Sequence, residues 1–177
     1  MLDCDNPFWK FSLAVYAAPG VAAECLTLQR ALNIDVNVLL FATWLGSAHT
    51  IKLADGNFRT INNGIQSWHE TVVRRLRTVR QDIKTMPAMT DDAVKNLRTD
   101  IARAELRAEQ IEQAMLFELT PDLIDGPAAT TIAEAVRHNV AFYLRHGTEP
   151  VQAGTEPPNA PRLIEEAIAY RPAVTHP

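Results

Sequence analysis

"TDDAVKNLRTDIARAELRAEQIEQAMLFEL", residues 90–119, decides the fold. Val94, Leu97, Ile101, Ala104, Ala108, Ile111 and Met115 recur in alternating steps of three and four residues, the apolar seam of a helix zipped to a neighbour. Thr90 stands where an N-cap belongs. The neighbour lies just upstream, where Ile65, Trp68, Val72, Leu76, Val79, Ile83 and Met86 keep the same spacing and predict a long helix over 61–86. The connector MPAMT is too short for anything but an antiparallel hairpin.

Charge supports that pairing. Residues 59–86 carry six Lys/Arg against two Asp/Glu, whereas 90–119 carry four against seven. A turn centred near Ala88 brings Glu70 opposite Arg107 and Arg77 opposite Asp100. At about 0.2–1 kcal/mol each, such exposed pairs set register more than stability.

Upstream, "NIDVNVLLFATWLGSAH" (33–49) is apolar almost all round, with Asp35 as N-cap and Gly46 as C-terminal stop, the pattern of a central bundle helix. Asn6-Pro7 opens a first helix and Pro19-Gly20 breaks it. Val21, Cys25, Leu28 and Leu32 stripe a second. The stretch 47–58 reads as a connection turning at Asp55-Gly56. Downstream, Ile132, Val136, Val140 and Tyr143 mark a helix over about 127–146. The segment 148–160 is proline-rich and polar, and a short helix capped by Asn159 precedes a frayed tail. The expected architecture is all-α: an N-terminal three-helix unit and a long antiparallel helical hairpin, with C-terminal helices added. Residues 1–147 form a single helical domain, followed over 148–177 by linker, short helix and tail.

The totals agree with an ordinary folded domain: 177 residues, 47% hydrophobic and 21% charged. A formal net charge of -4 argues against nucleic acid as a partner. Two cysteines, Cys4 and Cys25, make neither a disulfide framework nor a zinc motif. The acidic, aromatic start MLDCDNPFWK is unlike a secretory signal, and no apolar run approaches the roughly 20 residues that span a bilayer. A cytoplasmic protein is expected.

Two candidate sites follow, each beside a plainer explanation. Trp9, Asp35, Asn37, Trp44 and His49 are the nearest approach to a ligand pocket at the mouth of the bundle. Capping accounts for Asp35 without any ligand, and core packing is the favoured reading of the tryptophans. Arg74, Arg77 and Lys84 form a basic edge, and Glu105, Glu109 and Glu112 an acidic one; both suit a protein partner or a second copy, and both are also ordinary solvated faces. The Glu-x-x-His pattern of bundle metal centres is missing, as are phosphate loops and nucleophile elbows. No cofactor or metal is indicated, and the five histidines are scattered. The leading expectation is a non-enzymatic interaction or adaptor protein that self-associates, with a ligand-binding or enzymatic bundle as the alternative.

Four stretches in order, "NPFWKFSLAVYAAPGVAAECLTLQ" (6–29), "DVNVLLFATWLG" (35–46), "VVRRLRTVRQDIK" (72–84, after Trp68) and "AELRAEQIEQAML" (104–116), resemble the signatures of a family of short proteobacterial proteins of unknown function. The resemblance covers about 6–119 and implies no activity and no site residues.

Overall fold

The computed structural model describes residues 1–124, 128–129, 131–147 and 159–172, and among these it is helical throughout, with a single isolated bridge between Ile51 and Ala128. The helices are α1 (Pro7–Tyr16), α2 (Val21–Leu32), α3 (Val36–His49), α4 (Asp55–Trp68), α5 (Arg74–Thr85), α6 (Asp92–Glu118), α7 (Thr120–Leu123), α8 (Ile132–His146) and α9 (Pro161–Ala169). No single helix among the described residues is long and apolar enough to cross a membrane.

Helix starts follow from local chemistry. Asn6 Oδ1 accepts the Trp9 N–H at 2.8 Å with Pro7 at the first helical position. Asp35 Oδ1 accepts the Asn37 N–H at 2.8 Å. α9 is capped from elsewhere in the fold: the Glu24 carboxylate of α2 accepts the N–H groups of Arg162 and Leu163 at 3.2 and 3.0 Å. That contact satisfies orphan donors that the short helix cannot satisfy alone.

α3 is the centre. Every residue from Asn37 to Gly46 is buried, and α1, α2, α6, α8 and α9 all pack on it. Phe8, Phe41, Trp44 and Phe117 stack and tilt against one another at its heart, with centroids 5.1–5.8 Å apart. Gly46 does not end the helix, as its residue type suggested. A Cβ there would lie 2.8 Å from the backbone nitrogen of Val136, so the missing side chain lets α8 cross closely. The helix runs on to His49 and stops at Thr50, φ 57°. The following connector is pinned by buried Asn139 of α8, whose Nδ2 donates to the carbonyls of Ala42 and Ile51 and whose Oδ1 accepts the Leu53 N–H.

The hairpin differs from its expected form in phase. Its first rod begins at Asp55, where a turn was expected; Ala54 N–H is held by the Asn57 side chain, which launches α4 instead. Between α4 and α5, His69–Val73 forms one π-helical turn, closed by the Arg74 N–H on the His69 carbonyl. Such a turn adds one residue to the helical period. An unbroken period would turn Val72 and Val79 inward; the extra residue brings in Val73 and Arg80 and leaves Val79 46% exposed. A 3-10 turn, Pro87–Thr90, joins the rods, and Asp91 rather than Thr90 caps α6.

α6 rotates to match. Leu97 and Ala104, expected in the seam, are exposed, and so is Leu106. Glu105 and Glu112, expected on a solvated edge, are 5% and 0% exposed. The expected register also moves: Arg77 meets Glu105 and Glu109 rather than Asp100, and Glu70 pairs with Arg74 in its own rod. Arginines delivered inward by the π turn need carboxylates, and those at 105 and 109 lie within reach.

α9 is a full member of the core, with Leu163, Ile164 and Ala167 buried against α1, α2, α3 and α8. Of the linker expected over 148–160, residues 148–158 lie outside the described residues, as do residues 173–177 of the expected tail.

Candidate functional site

The hairpin meets the bundle at a group of polar side chains. α3 supplies Asp35 and Asn37 from its first turn, the π turn supplies His69, and α6 supplies Glu112 and Gln113. His69 Nδ1 lies 2.8 Å from Asp35 Oδ2 and 2.9 Å from Glu112 Oε1. The other Glu112 oxygen, Oε2, accepts from Asn37 Nδ2 at 2.6 Å, and Asn37 Oδ1 accepts from Gln113 Nε2 at 2.8 Å. Tyr143 of α8 grips the backbone of Asp35, its hydroxyl donating to the carbonyl at 3.0 Å and accepting the N–H at 3.1 Å. A chain of side chains from four parts of the fold thus fixes both carboxylates.

One turn along the hairpin a second network begins. Arg77 Nε donates to Glu105 at 3.1 Å and its Nη2 to Glu109 at 2.6 Å, while Arg80 donates to both oxygens of Glu105.

Burial and charge work against each other in both networks. Burial alone would push the His69 imidazole down, yet the hydrogen bonds and charges of Asp35 and Glu112 outweigh it and bring its pKa up to about 10. Burial raises Glu112 and also Glu109. Burial raises Glu105 too, but hydrogen bonds from Arg80 and Arg77 overcome it and hold the carboxyl below its ordinary range.

Two clefts open on either side of this wall. The smaller, about 460 Å³, is bordered by Asp35, His69, Arg77, Tyr143 and His146. The larger, about 560 Å³, runs between α1, α2 and the hairpin and is lined by apolar Trp9, Tyr16, Leu40 and Leu106, by basic Arg30, Arg80 and Lys84, and by the carboxylates of Glu105 and Glu109 that pair with the hairpin arginines. Asp35 and Arg77 line both.

The expected pocket is therefore divided. Trp9, Asp35 and Asn37 share the larger cleft. Trp44 is buried in the aromatic core, and exposed His49 packs edge-on against it at 4.9 Å. They lie further along α3 from Asp35, roughly 14 Å for Trp44 and about 21 Å for His49 at the helical rise. Of the expected basic edge, Arg74 is exposed and paired with Glu70, Lys84 is exposed beside the larger cleft, and Arg77 is turned inward. Glu105, Glu109 and Glu112 all face internal partners.

His69, Gln113 and Tyr143 were passed over. A usable signal was present: Glu105 and Glu112 are seven residues apart, so they share one helix face, and a carboxylate repeated at the heptad interval beside a seam is a candidate for burial. Nothing in the spacing of His69 announces the π turn that places it.

Fold and site together define an all-α bundle domain with a partly buried Asp–His–Glu centre beside two clefts. The chain belongs to the family described as protein of unknown function (DUF2390), whose model matches residues 7–116. That span holds Asp35, His69 and Glu112 but ends before Tyr143. No curated protein and no solved structure matches the chain significantly.

Proposed function

We propose that this is a small-ligand-binding helical domain whose larger cleft takes a small organic anion with a flat or apolar body. The observation that carries the reading is the meeting of two clefts at one wall of buried, mutually paired charges. Removing an ion from water costs several kcal/mol, so charges concentrated at a cleft floor are a candidate binding centre rather than a source of stability. Trp9, Tyr16 and Leu40 line the cleft with apolar surface, and Arg30 and Lys84 line it as basic groups.

Thermal unfolding in EDTA-containing buffer, across a panel of aromatic and aliphatic carboxylates and phosphate monoesters, tests this. A ligand at 100 times its Kd adds about 2.7 kcal/mol, or roughly 5–10 °C for a chain of this size. The double variant Arg30→Glu, Lys84→Glu abolishes the shift. No shift with any compound, or a shift the variant keeps, overturns the reading.

A second reading, of a self-associating adaptor, draws on the far end of the hairpin. There α5 packs chiefly on α6 and the joining turn, and Val79, Met86 and Leu97 are exposed. A protein partner or second copy would meet these apolar groups rather than the acidic edge, whose glutamates are occupied internally. Light scattering after size exclusion checks it: a concentration-dependent dimer that Leu97→Glu dissolves supports it, and a strict monomer at all concentrations removes it.

A further inference from the structure

We propose that Asp35, His69 and Glu112 bind one divalent first-row metal ion, of the Zn²⁺ or Mn²⁺ kind. The three side chains offer an imidazole nitrogen and two carboxylate oxygens, all within 4.8 Å of one another. Imidazole and carboxylate together suit these ions, and two carboxylates balance the charge of a dication.

The hydrogen-bond pattern argues for an ion. Nδ1 carries at most one hydrogen. The ring is aligned for a hydrogen bond with Glu112 Oε1, while Asp35 Oδ2, 2.8 Å from the same nitrogen and shielded from solvent, is left with a misaligned share of it. One proton cannot be aligned with both oxygens at once; a cation between the three atoms serves them all. On binding, the ion takes the place of the Nδ1 proton, which passes to solvent. Metal–ligand bonds of about 2.0–2.2 Å need only a slight opening of the present N···O approaches.

Two further features fit. Glu112 Oε2 is oriented by Asn37 and Asn37 by Gln113, the kind of outer support on which metal ligands depend. The π turn begins at His69 itself, and such insertions gather at functional sites. Asp35 and His69 border the smaller cleft, which leaves an approach for the ion and for a water or ligand completing its coordination. The inference stands on the cluster's geometry and not on the organic anion of the larger cleft, so the two fail separately.

Calorimetric titration of the EDTA-stripped full chain with ZnCl₂ and MnCl₂ tests it, with the electron spin resonance of added Mn²⁺ as a second readout. One ion per chain with micromolar or tighter affinity is expected. Asp35→Asn, which keeps an acceptor for the helix cap, and His69→Gln each weaken binding at least about 10-fold, and both stay folded by circular dichroism. Should either fail to fold, Gln113→Ala, further from the ion, is expected to show a smaller loss on a folded chain. No saturable binding of either ion, or binding unchanged in a folded Asp35→Asn or His69→Gln variant, overturns the proposal.

Discussion

α3 and the hairpin occupy the same bundle and are held by opposite means. α3 buries ten successive residues and is stabilised by area removed from water and by ring packing. The hairpin turns arginines and glutamates toward each other, and its contact is a ladder of charge from His69–Glu112 to Arg80–Glu105. Apolar packing sets how strongly the domain folds. A buried ladder of ions adds little net stability and instead specifies one pairing and leaves polar groups beside a cleft.

Substitutions in the two regions expose that contrast. Phe41→Ala, at a fully buried position of α3, is expected to cost about 3–5 kcal/mol by urea denaturation. In the hairpin Glu105→Ala strands Arg80, 27% exposed, and leaves Arg77, 20% exposed, with Glu109 alone; it costs roughly 1–3 kcal/mol, between the values for exposed and buried pairs. Replacing all three by Met and Leu restores most of that loss, because only Glu109, itself 25% exposed, is then left without its partner. A triple variant less stable than Glu105→Ala would show the ladder to be a true source of stability.

Acid titration reads the same ladder. Glu105 is held below its ordinary carboxylate range, so its contribution is complete above the unfolded pKa of about 4.3 and fades as pH falls through the lower, folded value. Unfolding free energy measured from pH 6 downward should show this loss in the wild type and not in Glu105→Gln. A smaller effect is expected at the end of α1: Asn6→Ala removes the cap on Trp9 N–H and costs about 1 kcal/mol. Smallest is the chemistry of the thiols. Burial pushes Cys25 up to about 12, so a disulfide reagent should label half-buried Cys4 and leave Cys25 unreacted until the chain unfolds.

The apolar region was the legible one. The unbroken run from Val38 to Leu45 announced a central helix, and Asp35 and Asn6 announced their caps, because each signal is local and one-dimensional. The hairpin was legible in existence and direction but not in rotation. Its apolar spacing pointed Leu97 and Val79 inward, and one extra residue in the π turn reversed that choice in favour of Arg80 and Glu105. The candidate site shows the same limit: Asp35 and Asn37 lie together as their spacing implies, Trp44 and His49 lie elsewhere along α3, and the sequence does not bring His69 to Glu112. Residues 69 and 112 converge only through tertiary packing, which no single-chain periodicity encodes.

A crystal structure grown with MnCl₂ and measured near the manganese edge bears on all of this at once. The expected result is Glu112 buried, with one anomalous peak about 2.2 Å from Asp35, His69 and Glu112. A hairpin with Leu97 and Ala104 in its seam, Glu105 and Glu112 in solvent and no peak at the junction would contradict it.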